Sequence, residues 1–405
     1  MKVARWLDKV FPLRQIPNIG RFYLLTAFNN LWFLAGNWIF YWLRYMTYGE
    51  LGVMDALCFL FGLVMEVPSG AIADVIGKRK TIIIGMLLAS AGFLTMGSAN
   101  DIAPLWIGFL LAQAGWAFYS GAAEALAFDS LVDHHKQEEF DKVISATSSL
   151  ATVTTVIATL VGGLMYVIHY RSTHLGMGVG YLIACVVAFG LSEPKTDTEK
   201  FALARWWSTL VDGSKQLLLP TLKPFVLIIL VLMGAEYMYE WGFLKPAIAT
   251  SFGFLDKTQA VLFAGFGLLS AMLMRLLPKI RGLISDRRGL YTLTVVMGVG
   301  FLVASLPLNY FGILPMLLIG ISGYLVYPWI SVVVNNELDP KHRATALSTV
   351  ALLTKIPYVV LAILAGNMIE DGKLALFNLS AGTVILASVF INILIRMKND
   401  SKRIA

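Results

Sequence analysis

Charge is scarce in this chain of 405 residues: Asp, Glu, Lys and Arg together make up 14%, against 58% hydrophobic residues. A water-soluble domain carries roughly 25% charged residues. The polar surface needed to cover two or three soluble domains of this length is therefore missing, and an integral membrane protein is expected. Cysteine is nearly absent. Cys58 and Cys185 both sit in apolar stretches and share no metal-ligand or CxxC spacing, which excludes a disulfide framework or a zinc cluster. Short segments of alternating polarity are also lacking, which argues against a β-barrel. The net charge of +7 is dispersed between apolar runs and forms no basic patch, so nucleic acid is not an expected partner. The first apolar run, from Arg21 to about Met46, is too long for a signal peptide and has no small-residue cleavage site.

The long apolar runs decide the fold class. About 20 apolar residues in a helix cross the hydrocarbon of a bilayer. Such spans are expected near 21–47, 51–73, 81–99, 102–128, 143–168 and 174–192, then near 224–250, 257–280, 290–308, 312–334, 344–368 and 374–396. This predicts an all-α membrane protein with twelve transmembrane helices in two sets of six. Residues 1–192 form one six-helix bundle and 224–405 the other with a tail. Residues 193–223 join them as a cytoplasmic linker, whose stretch 201–219 mixes Arg205, Trp206, Trp207 and Lys215 with leucines as an interfacial amphipathic helix does. Of the 32 lysines and arginines, the alternate loops that would face outward hold only Arg171, Lys257 and Lys373. That bias places both termini in the cytoplasm.

The two sets of six share a motif. Gly70-x-x-x-Asp74-x-x-Gly77 precedes Lys78, Arg79 and Lys80 after the second span, and Gly282-x-x-x-Asp286-x-x-Gly289 follows the eighth. Matching positions in both halves point to parallel repeats. A phosphate-binding loop is excluded, because Gly70 and Gly77 are seven apart and Lys78 is followed by Arg79 where that motif needs Ser or Thr.

On the loop from Gly70 to Lys80, the chain resembles the major facilitator superfamily over nearly its whole length. Glu66-Val67-Pro68-Ser69-Gly70 and the run Glu124 to Leu131 are similar to a bacterial branch of drug or metabolite exporters. One departure is visible: span five carries Gly162-Gly163 and no proline, where many proton-driven drug antiporters of the superfamily have Gly-Pro. The resemblance implies the major facilitator fold, two pseudo-symmetric bundles rocking by alternating access, in a bacterial inner membrane. It also implies a gate formed by Gly70, Asp74, Gly77, Lys78, Arg79 and Arg343. Asp74 would meet the start of span eleven in the other half, where the helix dipole favours a carboxylate and Arg343 adds an ion pair. Lys78 and Arg79 are gate partners or simple topology signals.

Ionisable residues within spans are costly and mark function. At 1.5 Å per residue, Glu236 and Lys355 each lie about 20 Å into spans seven and eleven, near the middle. Glu240 is one turn beyond Glu236 on the same face. Either carboxylate is expected to carry a proton, with Lys355 as counter-charge or anion ligand; a static pair is the alternative. Asn30, Asn37 and Arg44 recur every seven residues along span one, forming a polar stripe with Tyr41 beside it. Asp55 and Glu66 share a face of span two, and Arg44 with Asp55 is an expected outer pair. Trp116, Ser120 and Glu124 share a face of span four. Arg275, Tyr237 and Tyr324 complete the expected cavity. His134, His135 and His342 fall in cytoplasmic loops, and His169 and His174 flank an outer loop, so no midplane histidine relay is expected.

Together with the resemblance, these residues predict a secondary active transporter, not an enzyme, with no cofactor or metal. Proton-coupled efflux of a small amphipathic drug or metabolite is the leading expectation. Its partners are that substrate, the coupling proton and the lipid bilayer, and it acts as a monomer. Uptake or export of an anionic metabolite through Arg44, Arg275 and Lys355, or lipid flipping, are the alternatives.

Overall fold

A computed structural model describes residues 7–195, 215, 225–337 and 355–404. Among these the regular structure is entirely helical, without strands. Apolar runs of this length leave the backbone no water to bond, so each polar group must be satisfied within its own segment, which a helix does. The main helices are α1 (Pro17–Asn29), α2 (Trp38–Trp42), α3 (Tyr48–Ile76), α4 (Lys78–Gly97), α5 (Ile102–Val132), α6 (Phe140–Ile168) and α7 (Ser172–Phe189). Then come α8 (Val226–Glu240), α9 (Leu244–Ser251), α10 (Asp256–Leu283), α11 (Asp286–Ala304), α12 (Ile313–Glu337), α13 (Lys355–Glu370) and α14 (Leu374–Ile404). Among the described residues, nine helices are long and apolar enough to cross a membrane, or ten if the bent pair α8–α9 is one span. The chain is an integral membrane protein. The amphipathic stretch 201–219 of the linker lies outside the described residues, Lys215 excepted.

Two compact units emerge from the packing. One comprises Met1–Met46, Leu57–Leu203 and Asp256–Gly267; the other comprises Thr47–Ala56, Ala204–Leu255 and Leu268–Ala405. The first turns of α3 thus pack with the second unit, and the first turns of α10 with the first. Within the first unit α4 packs chiefly on α5 and α7, and within the second α11 packs chiefly on α12 and α14. Small residues make this possible. Gly85 and Gly92 on α4 face Gly115 and Gly108 on α5, so close that a methyl on Gly92 would sit 2.5 Å from the Gly108 carbonyl oxygen. Lipid gives no hydrophobic drive for helices to associate, so such backbone contact supplies the packing.

Span one departs from its expected form. It is two short helices, α1 and α2, separated by turns at residues 30–37. The Asn30 amide donates to the Thr26 carbonyl at 2.8 Å, and Trp32 and Phe33 bond back by only two residues. A side chain that bonds its own backbone competes with the helix ladder. The seven-residue stripe of Asn30, Asn37 and Arg44 needs an unbroken helix, and it does not form.

Candidate functional site

The break between α8 and α9 organises the second unit. Pro246, in the first turn of α9, has no N–H and its ring excludes a continuous helix past the Gly242 carbonyl, so the ladder stops at Trp241–Phe243. The two helices meet at 64°. This bend folds Lys245 back onto Glu240, Nζ to Oε2 at 2.7 Å, with side chains only 10% and 12% exposed. The Tyr324 hydroxyl stands 3.5 Å from the same Nζ, and the rings of Tyr239 and Tyr324 lie 5.7 Å and 5.9 Å from it. Tyr239 is anchored by donating to the Met316 carbonyl at 3.0 Å. Glu236 is one turn earlier on α8, half-buried. Gly323 on α12 leaves the space for both acids: a methyl there would lie 3.4 Å from Cγ of Glu236 and 3.8 Å from Cγ of Glu240.

The expected acids and Tyr324 therefore converge, but the cation that pairs with Glu240 is Lys245. Lys355 is the first residue of α13, half-buried. Tyr237 lies beside Tyr358, ring centroids 6.2 Å apart. Arg275 is exposed on α10.

In the first unit, several expected cavity residues are committed to packing. Tyr41 is fully buried and its hydroxyl donates to the Met96 carbonyl at 2.6 Å. Asn37 is buried too, its amide donating to the Gly162 carbonyl at 3.2 Å, where α6 approaches the backbone at Phe33 too closely for any side chain. Trp116 donates its indole N–H to the Tyr181 hydroxyl at 2.8 Å. Ser120, Glu124 and Glu66 remain exposed on α5 and α3. The Arg44 guanidinium stacks 4.3 Å from the Tyr170 ring centroid, while Asp55 accepts the Tyr358 hydroxyl. Arg44 and Asp55, expected as an outer pair, belong to different units, and each is engaged within its own.

The glycine motif is not a loop but a near-continuous helix. Gly70 and Asp74 lie inside α3, and only Gly77 interrupts it, with φ +93°, a conformation glycine alone adopts without strain. Arg343, and the start of span eleven that Asp74 is expected to meet, lie outside the described residues. The basic residues hold helix ends. Glu193, just past α7, accepts the backbone N–H of Lys78 at 2.6 Å and of Arg79 at 2.9 Å. In return Arg79 donates to the Phe189 carbonyl at 2.8 Å. An acid caps one helix N-terminus and a base the other's C-terminus, the arrangement the helix dipole favours. The Lys78 ammonium reaches across to Asp129 on α5, which is 1% exposed. In the second copy the break comes earlier, at Ile284–Ser285. There Arg281 pairs with Asp286 at 2.6 Å, and the Trp329 indole donates to the Asp286 carbonyl at 2.8 Å.

Four participants were not singled out from sequence. Lys245 had a signal: a charge between Gly242 and Pro246 inside an apolar run. Asp129 reads as an interfacial acid, and Glu193 as a linker residue. Asn18 reads as nothing, yet it ties α1 to Ser130 and to the Ser192 carbonyl, both at 2.8 Å. Among the described residues, no three His, Cys, Asp or Glu side chains converge to hold a metal.

Comparison with known proteins adds three findings. The model of the Major Facilitator Superfamily matches residues 19–393. Among curated proteins, the chain is 27% identical over 182 residues to "Multidrug resistance protein MdtH" of Cronobacter sakazakii, covering 43% of each chain. It is 35% identical over 103 residues to the protein of that name from Edwardsiella ictaluri, covering 25% of each. The matched part is thus less than half the length of these relatives. Among solved structures, the nucleoside transporter NupG superposes with a TM-score of 0.74 at 13% identity, over 95% of this chain and 98% of that one. A bacterial homolog of the human lysosomal transporter Spinster, inward-facing and unoccupied, superposes with a TM-score of 0.66 at 16% identity, over 95% of each chain. At such identity the likeness shows the fold.

Proposed function

The chain belongs to the major facilitator superfamily, and from that premise we propose a proton-coupled exporter of a small amphipathic drug or metabolite. Family membership makes it a membrane transporter and not an enzyme. In the proposed form, twelve spans make two six-helix bundles that alternate access to a central site, with both termini in the cytoplasm. The observation that carries the reading is the acid pair Glu236 and Glu240 at the broken seventh span, with Lys245 bound to Glu240. Lys245 is taken up by Glu240, and Glu236 stands one turn earlier on α8 as a second acid. That acid suits a proton or a cationic group, and the rings of Tyr237, Tyr239 and Tyr324 suit an amphipathic body. The relatives named for multidrug resistance support export. Of the cations that the anionic-substrate alternative needs, Arg44 is stacked on Tyr170, while Arg275 is exposed and Lys355 half-buried.

The test uses purified protein in liposomes, an imposed pH gradient, and labelled cationic, neutral and anionic solutes. Cationic and neutral amphipaths are expected to accumulate on the acidic side as protons leave it. Movement of anions alone, or indifference to the gradient, contradicts the reading.

A further inference from the structure

The first turns of α3 carry contacts that the cluster at Glu240 does not use. Thr47 and Glu50 form a capping box: the Thr47 N–H donates to Glu50 Oε2 at 2.9 Å, and the Glu50 N–H to Thr47 Oγ1 at 3.3 Å. A second carboxylate comes from the end of α13, where Glu370 accepts the Gly49 N–H at 2.7 Å and the Thr47 hydroxyl at 2.8 Å. Next along α3, Gly52 lies on the α13 backbone. A methyl there would sit 2.5 Å from the Ala362 carbonyl oxygen and 3.1 Å from Gly366 Cα. One turn deeper, Asp55 is buried and accepts the Tyr358 hydroxyl. The two helices run antiparallel through these three contacts.

Tyr358 also faces a third element. A methyl on Gly242, in the α8–α9 break, would sit 3.2 Å from its hydroxyl oxygen, and the Tyr237 ring stands beside it. One tyrosine therefore touches the bend that carries Glu240 and Lys245 and binds the buried acid of α3.

We propose that Asp55 is a proton-binding site, and that it forms with Tyr358 and Glu370 a latch holding the Thr47 end of α3 on α13, released when the proton leaves. The group facing Asp55 is Tyr358 on α13, which itself stands beside Tyr237 and the Gly242 break between Glu240 and Lys245. Toward the helix start stand Tyr48, Glu50 and Glu370. Lys245 is already engaged by Glu240, and among the described residues Asp55 has no salt bridge. A buried carboxylate without a counter-charge is costly. Neutral Asp55 shares a hydrogen bond with Tyr358 and stays packed. Ionised Asp55 is relieved only by water, which requires the Gly52 crossing to part. The step is a proton transfer from the carboxyl group to water, with no other bond changed.

The inference rests on the alternating-access reading for its purpose, but its test needs no transport. Hydrogen–deuterium exchange of residues 47–56 is followed in the full-length protein and corrected for intrinsic exchange. In the unaltered chain, exchange is expected to rise with pH, by up to about tenfold per pH unit, the limit for release of one proton. Asp55→Asn keeps an acceptor for Tyr358 and removes the titration, so exchange stays slow throughout. Tyr358→Phe loses the hydroxyl, so exchange is fast at low and high pH alike. Protection of α4 reports that each variant is folded; should Tyr358→Phe lose it, the comparison with Asp55→Asn decides alone. A flat profile in the unaltered chain, or a rise that survives in Asp55→Asn, overturns the latch. Loss of gradient-driven transport with an intact profile counts against the coupling reading only.

Discussion

Lys245→Ala is expected to cost about 3–5 kcal/mol of stability, because it strands Glu240 in a site with little access to water. The pair spans the α8–α9 break, so its loss also frees the bend that places both acids. Gradient-driven transport is expected to fall to the level of empty liposomes. Replacing both partners, Lys245→Leu with Glu240→Leu, removes the stranded charge and is expected to restore most of the stability while transport stays lost. Thermal unfolding of Lys245→Leu, Glu240→Leu and the double variant gives the coupling energy by a double-mutant cycle. Equal stability of Lys245→Ala and the unaltered protein would sink the claim that this ion pair is buried and strong.

The second large effect concerns the Gly77 end of the first unit. Lys78→Ala removes the ammonium that reaches Asp129, which is 1% exposed, and is likewise expected to cost about 3–5 kcal/mol. Asp129→Asn is expected to cost only about 1 kcal/mol, because a lysine in the first turn of α4 can swing its long side chain to water. A buried acid beside a mobile base makes the two losses unequal. The same unfolding measurement checks it. Equal losses would mean that Asp129 reaches water when unpaired.

The helices were legible from sequence because their signal is physical and long: uninterrupted apolar runs, with lysine and arginine concentrated in alternate loops. The repeat of Gly70–Gly77 at Gly282–Gly289 was legible too, although its two copies break at different places. Side-chain partnerships were less so. Depth arithmetic along straight helices matched Glu236 with Lys355 and gave Lys245 no role. The bend at Gly242–Pro246 breaks that straight helix and pairs Lys245 with Glu240, the place expected of Lys355. The stripe of Asn30, Asn37 and Arg44 failed for the same reason, since a seven-residue period has meaning only on an unbroken helix. Lys78 with Asp129, and Glu193 with the start of α4, join residues 51 and more apart in the chain. No local spacing encodes such pairs.

The most direct test of the central claim compares Glu236→Gln, Glu240→Gln and the unaltered protein in liposomes, with and without an imposed pH gradient. At least one variant is expected to lose gradient-driven accumulation while still exchanging labelled for unlabelled solute when no gradient is applied. Full gradient-driven accumulation by both variants would contradict the account, because the proton would then be carried elsewhere.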